Sequence, residues 1–504
     1  MSGWKFAWEA ARAYGRTSRA VSESMQAAYE RQSTERVPRR VRNRGYLAPG
    51  DGPAPPGLDV PDYSGLAPSH VLRGAVLRQG GVVLGAAVDL GDGEPFAAYR
   101  LPLERFFQHL AVVAPPGKGK TYGVIAPLAV RLLRAGATVV VLDVTGDLVN
   151  AIRDFSQSSS TGLAVPFFHW STDPAHGRHS WNPLAGLDAD DLTAVEGLKT
   201  SILGEEPADP KHRFFFDREL RILGALIRVL AAEVSDPTLA DLLALAVARD
   251  VLRKRLARPE HAAVRLELRD FLAADDADAA QMVSELQTRL APFVARQVVP
   301  RVSRSDFSLL DVLRRPSLVV VGAELYLRQR GEIAASLFVN RLTAELSTRY
   351  GASHGAPVVL LLDEAPVLAR RINLPALLAT SRATRTGVVV AAQNVTQFGD
   401  EGAQSTVFDA CDTMMILPGA SRASVALFQS RLGQREVRRQ SVSREFGRGH
   451  GSVSVSGETS DVLGGREIMQ PPFGVFPAFV HSRSEGIGPV VIELDRMTVN
   501  AWDQ

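Results

Sequence analysis

Eight consecutive residues, Ala114-Pro115-Pro116-Gly117-Lys118-Gly119-Lys120-Thr121, have the types and order that hold a phosphate. Such a loop ordinarily reads Gly, four residues, Gly-Lys, then Ser or Thr. Its backbone N–H groups curl around the anion, with a helix N-terminus behind them. Lys120 is placed to reach the β- and γ-phosphates, and the Thr121 hydroxyl to ligate Mg²⁺. Gly119 stands where a side chain would crowd the phosphates. Pro115, Pro116, Gly117, Lys118 and Tyr122 complete the expected nucleotide-contacting stretch. Ala114 replaces the first glycine, which costs little if its φ is negative.

Further along, Pro357-Val358-Val359-Leu360-Leu361-Leu362-Asp363-Glu364 is an apolar run closed by two carboxylates. In an ATP-hydrolysing site, Asp363 would hold Mg²⁺ and Glu364 would polarise the attacking water. An acidic helix start would also favour negative charge there. A third apolar run, Gly387 to Ala392, ends at Gln393, which suits a sensor of the γ-phosphate or a positioner of water. An amide capping the sheet edge fits that position as well.

These residues need a sheet to bring them together, and the hydrophobic pattern supplies one. Leu110–Ala114 and Ala137–Asp143 read as buried strands, and Tyr122 to Leu133 has helical apolar spacing. Ser317–Gly322 is another buried strand. The chain is therefore expected to be α/β, a P-loop core in two parts (109–189 and 306–504). Between them, residues 190–305 are rich in Ala, Leu, Arg and Asp at helical period, as in Arg218–Ile227, and read as an inserted all-α domain. Residues 61–108 alternate short apolar runs with Gly turns, which predicts a small N-terminal β-unit.

Residues 1–60 form a basic arm and a Pro/Gly linker. The first 45 residues carry ten Lys/Arg against four Asp/Glu. Trp4, Phe6, Trp8, Ala11 and Tyr14 lie on a loosely amphipathic helical pattern, suited to nucleic acid, anionic lipid or a partner. The whole chain of 504 residues is 45% hydrophobic with a net charge of only +2, so global charge announces no polyanion. The single cysteine, Cys411, excludes an internal disulfide and suits a reducing compartment. The histidines lack metal-ligand spacing, and no run reaches the roughly 18 apolar residues of a spanning helix. The expectation is a cytoplasmic protein, peripheral at the inner face of the membrane through partners or the basic arm.

The order of the motifs resembles that of the coupling-protein ATPases of conjugation and type IV secretion (the TraG/TraD type), from about residue 82 to residue 497. His109 precedes the phosphate-loop strand. Asp143-Val144-Thr145-Gly146-Asp147-Leu148 is similar to that family's Asp-x-Lys-Gly-Glu-Leu, and Ser180-Trp181-Asn182-Pro183-Leu184 to its Asn-Pro-Leu element. Residues 360–400 match its Asp-Glu, arginine-bearing helix and Gln-x-x-x-Gln region, while 408–434 and 464–494 resemble its closing segments. Thr145 departs from the family's lysine, and the basic arm is expected to stand in place of the family's membrane anchor.

The resemblance implies a RecA-like core that assembles as a homo-hexamer. It further implies ATP and Mg²⁺ as ligands, and DNA, a relaxase or secretion-channel proteins as partners. The implied activity is an ATP-driven motor that couples or translocates DNA, without sequence preference, to a secretion channel. In such rings an arginine from the neighbouring subunit completes the site, and Arg382 and Arg385 are the candidates. Two other readings stay open: a related hexameric ATPase of DNA processing or defence, and a nucleotide-binding adaptor that recruits substrates with little turnover.

Overall fold

A computed structural model describes residues 66–67, 80–89, 93–157, 165–350, 355–444, 451–469 and 476–494. The basic arm and the Pro/Gly linker lie outside the described residues.

Eleven strands form one sheet, in the order β2-β1-β13-β12-β9-β3-β8-β7-β4-β6-β5. Their ranges are β1 Val82–Val88, β2 Pro95–Leu101, β3 Leu110–Val113, β4 Thr138–Asp143, β5 Phe167–Trp170 and β6 Leu318–Gly322. The later strands are β7 Val358–Leu362, β8 Thr386–Ala392, β9 Thr413–Ile416, β12 Pro477–Ser482 and β13 Val490–Glu493. The seven strands from β9 to β5 run parallel. The edge formed by β12, β13, β1 and β2 is antiparallel, so the N-terminal β-unit is the border of the main sheet. A separate antiparallel ribbon pairs β10 Gln434–Arg444 with β11 Gly451–Asp461.

The parallel strands are near-continuous Val/Leu runs because both their faces are covered. Along β4, Val139 and Val141 belong to one apolar core and Val140 and Leu142 to the other. The first core lies under helices α1 (Ala126–Arg134) and α2 (Leu148–Gln157). The second is continuous with a large helical region, beginning with α3 (Leu192–Leu203), α4 (Pro210–Glu233) and α5 (Leu239–Val247). Shorter helices carry that region to Val302.

Adjacent parallel strands need a crossover, and the helical region is the crossover from β5 to β6. Its two ends are zipped together. Ser180 N–H donates to the Asp306 carboxylate at 2.7 Å, Asp306 N–H to the Ser180 carbonyl at 2.9 Å, and Asn182 N–H to Ser305 Oγ at 3.0 Å. Asn182 Nδ2 also donates to the Pro237 carbonyl at 2.9 Å, which gives the Asn-Pro-Leu element a structural task.

After β6, helix α6 (Gln329–Ser347) runs buried between sheet and helical region; α7 (Leu374–Ser381), α8 (Glu401–Asp409) and α9 (Arg422–Leu432) follow the later strands. A clasp joins the segment after β7 to the helical region. Arg371 Nη1 donates to the carbonyls of Ser201 and Ile202 at 3.0 and 3.1 Å. These are last-turn carbonyls of α3, where a cation is favoured. Asn340 Nδ2 bridges the Gly197 and Arg371 carbonyls, each at 3.0 Å. Among the described residues no helix is long and apolar enough to cross a membrane.

Candidate nucleotide site

The phosphate loop links β3 to a π-helical turn, Lys120–Ile125, that runs on into α1. Gly117 and Gly119 take φ of 72° and 77°, a left-handed backbone that curls the loop back on itself. Ala114 is not among the positive-φ residues; it is fully buried and its N–H donates to the Ala392 carbonyl at 3.0 Å. The alanine thus extends the β3–β8 ladder by one rung without strain. Gly123 N–H bonds back to the Gly119 carbonyl at 2.6 Å, so the first turn behind the loop is tight. The leading N–H groups of this helix have no intrahelical acceptor and face the loop. Pro116, Gly117, Lys118 and Tyr122 are exposed, and Pro115 is half-buried.

Strand β8 is interposed between β3 and β7, which brings three strand ends to one place. Lys120 Nζ lies 2.6 Å from Glu364 Oε2 and 3.1 Å from Asp363 Oδ1. The Thr121 hydroxyl donates to Asp363 Oδ2 at 3.1 Å. Gln393 Nε2 donates to Glu364 Oε2 at 3.2 Å. Burial pushes the Asp363 carboxyl above the usual carboxylate range, and the Lys120 ammonium opposes that shift. Glu364 has φ of 74°, an uncommon backbone for a residue with a side chain. Such strain concentrates at functional sites.

One participant was not singled out from the sequence. Gln397 Nε2 donates to Glu364 Oε1 at 3.2 Å, while its own carbonyl oxygen accepts the N–H groups of Gln393 and Asn394 at 3.1 and 3.0 Å. Two backbone donors fix which way that amide points. Both oxygens of Glu364 are therefore gripped, one by each glutamine of the Gln-x-x-x-Gln pair.

Arg382 and Arg385 lie elsewhere. Both are exposed at the start of β8, at the opposite end from Gln393. Seven strand residues separate them from it, roughly 23 Å at the usual rise. They cannot reach the phosphate loop of their own chain. His109 anchors this end: Val388 N–H donates to Nδ1 at 3.1 Å, so Nε2 carries the proton and donates to the Leu378 carbonyl at 2.7 Å. Burial lowers its pKa, which keeps the ring neutral, as this bonding needs.

The Asp143 side chain is taken up by its own turn. Asp143 Oδ1 accepts from Thr145 N–H, Thr145 Oγ1 and Gly146 N–H, and Oδ2 accepts from Leu148 N–H at the start of α2. Thr145, at the position where a lysine was expected by resemblance, closes this turn.

A hydroxyl and a carboxylate converging 3.1 Å apart beside a phosphate loop form the oxygen-only donor set that Mg²⁺ takes together with phosphate oxygens. Thr121 and Asp363 fit that ion. Asp363 Oδ1 has no hydrogen-bond donor besides the facing ammonium. Among the described residues no group of three or more His, Cys, Asp or Glu surrounds a metal position.

Sheet order, phosphate loop and Asp-Glu strand define a P-loop nucleotide-binding protein with a helical crossover region. The family model for type IV secretory system conjugative DNA transfer matches residues 72–472, and the chain belongs to that family. Among solved structures, the unbound bacterial conjugative coupling protein TrwBΔN70 is similar over 86% of this chain and 93% of its own, at 17% identity and a TM-score of 0.63. The plasmid coupling protein TrwB in complex with the ATP analogue ADPNP is similar at 17% identity and 0.61, covering 87% and 94%. The same protein with ADP and Mg²⁺ is similar at 16% identity and 0.59, with the same coverage. No curated protein matches the chain.

Proposed function

We propose that this protein is a Mg²⁺-dependent ATPase that moves DNA, or a protein–DNA complex, toward a secretion channel, acting as a homo-hexameric ring. The observation that carries the reading is the convergence of Lys120, Thr121, Asp363, Glu364 and Gln393 at adjoining strand ends. An adaptor with little turnover has no need of a buried carboxylate held in strained geometry beside a phosphate loop. TrwB in complex with ADPNP, with the GTP analogue GDPNP, and with ADP and Mg²⁺ supports a purine nucleotide and Mg²⁺ as the ligands.

In this reading the loop N–H groups and Lys120 bind the β- and γ-phosphates. Thr121 and Asp363 would hold Mg²⁺, which would neutralise phosphate charge when bound. Glu364 orients a water and accepts its proton, with Gln393 and Gln397 aiming the carboxylate. Arg382 or Arg385 of one subunit faces the γ-phosphate of the next, a contribution on the order of 10³ in rate. Their position, far from their own loop and exposed, suits a group that acts on a neighbour. The basic arm or partners would place the ring at the inner face of the membrane, and a relaxase or channel proteins would supply or receive the cargo.

The test is ATP turnover with and without single- and double-stranded DNA. Stimulated turnover supports the motor, and nucleotide binding without turnover would point to the adaptor. A neighbouring gene for a relaxase or channel separates secretion from DNA processing or defence.

A further inference from the structure

We infer that the segment from Leu325 to Arg330, which leads from the turn after β6 into the first residues of α6, is a contact surface for a single-stranded nucleic acid; this rests on the DNA-motor reading. The loop reads Leu-Tyr-Leu-Arg-Gln-Arg, an aromatic residue followed by two guanidiniums. Its apolar residues are turned outward: Leu325 is 58% and Tyr326 52% exposed. About half of each side chain stays in water, two apolar groups side by side at the rim of one loop.

The Tyr326 ring is nevertheless fixed. Its hydroxyl donates to the Asp173 carboxylate and lies 3.0 Å from His176 Nδ1, while the His176 ring is itself 3.2 Å from Asp173. An exposed ring held at its far end is a preorganised stacking platform, since little rotamer entropy is lost when a base lies on it. Arg328 has φ of 51°, a strained backbone in a residue with a long side chain. Among the described residues neither Arg328 nor Arg330 forms an ion pair, whereas most arginines of the helical region do. With Pro292, Leu327 and Gln329, these residues line a shallow open cavity of about 290 Å³. Two unpaired guanidiniums beside a rigid aromatic face match alternating phosphate and base, and every base offers a stacking face regardless of sequence.

The location suits a motor. β6 is four strands from β3 in the sheet, about 19 Å away, and both loops emerge at the same carboxyl edge. The nucleic-acid surface is therefore separate from the nucleotide site, yet only β4 stands between β6 and the strand that bears Asp363 and Glu364.

The experiment measures fluorescence anisotropy of a labelled oligothymidylate with the full chain over a salt series. Alongside it run Tyr326→Ala, Arg328→Gly (which also relieves the backbone) and Arg330→Gln. Tyr326→Phe is the control that keeps the ring. The expected result is an affinity loss of about tenfold for Tyr326→Ala and a much smaller loss for Tyr326→Phe. Each arginine variant should make the salt slope shallower by about 0.7. Unchanged affinity and salt slope in all three variants, with the parent chain binding, overturns the assignment. So does a loss that tracks a change in sedimentation, because the loop would then be a contact between copies. If the parent chain itself fails to bind oligothymidylate and duplex alike, it is the DNA-motor reading that falls.

Discussion

Lys120 Nζ sits between two carboxylates, 2.6 Å from Glu364 Oε2 and 3.1 Å from Asp363 Oδ1. In the proposed site, phosphate and the acidic pair would compete for one ammonium, so nucleotide binding would exchange charge partners that are already in place. Lys120→Ala is expected to abolish nucleotide binding, read by calorimetry with ADPNP. It should also destabilise the ligand-free protein by about 3 kcal/mol, because removing one partner of a buried ion pair leaves charge uncompensated. Binding at the parent affinity would dissolve the phosphate-loop assignment.

Glu364→Gln should bind ATP and hold it unhydrolysed, since an amide cannot accept the water's proton. Single-turnover measurement with radiolabelled ATP reads this directly. Hydrolysis at the parent rate would make Glu364 structural and place the base elsewhere.

Gln397→Ala is expected to lower kcat by about 10²-fold with KM little changed, because misaiming a catalytic group costs rate more than affinity. Gln393 grips the other oxygen of the same carboxylate, so the double variant Gln393→Ala/Gln397→Ala should lose less than the two singles combined. Simple additivity would mean that the glutamines act independently.

Arg382→Ala and Arg385→Ala should leave ATP binding nearly intact, and one of them should remove turnover. Activity should rise with protein concentration. Mixing the inactive arginine variant with Glu364→Gln should restore part of it, through interfaces that combine an intact base with an intact arginine. Concentration-independent turnover unaffected by either substitution removes both residues from the site.

Glu219 on α4 provides a pH test of the helical region. Its Oε1 accepts the Leu286 N–H at 2.6 Å, and burial pushes its pKa up to about 7. The folded state then keeps a proton that the unfolded chain releases near the ordinary glutamate value. Stability contributed by this group is present at low pH and is lost as pH rises through about 7. Glu219→Gln should therefore raise the melting temperature relative to the parent more at pH 8 than at pH 5. A difference independent of pH would count against the shift.

The phosphate loop and the Asp-Glu strand were legible because phosphate binding demands fixed residue types at fixed spacing beside buried strands. Lys120, Thr121, Asp363, Glu364 and Gln393 lie together at adjoining strand ends. Gln397 was visible only as half of a Gln-x-x-x-Gln element, because its role depends on a short turn that folds the second amide back onto the first. Strand β5 spans only Phe167–Trp170, too few residues to show a period. Tyr326 is likewise mute in sequence; its placement depends on Asp173, which lies 153 positions earlier.

The zipped neck at Ser180–Asp306 and Asn182–Ser305 has a mechanical consequence. A body on one flexible tether turns like a ball joint, but one held by two chains bonded side by side moves like a door on a hinge. Arg371, gripping the end of α3 from the strap that follows Glu364, sits where a latch would. The paired neck restricts the ways in which the helical region could turn against the sheet, and the core the two share holds them together in this structure.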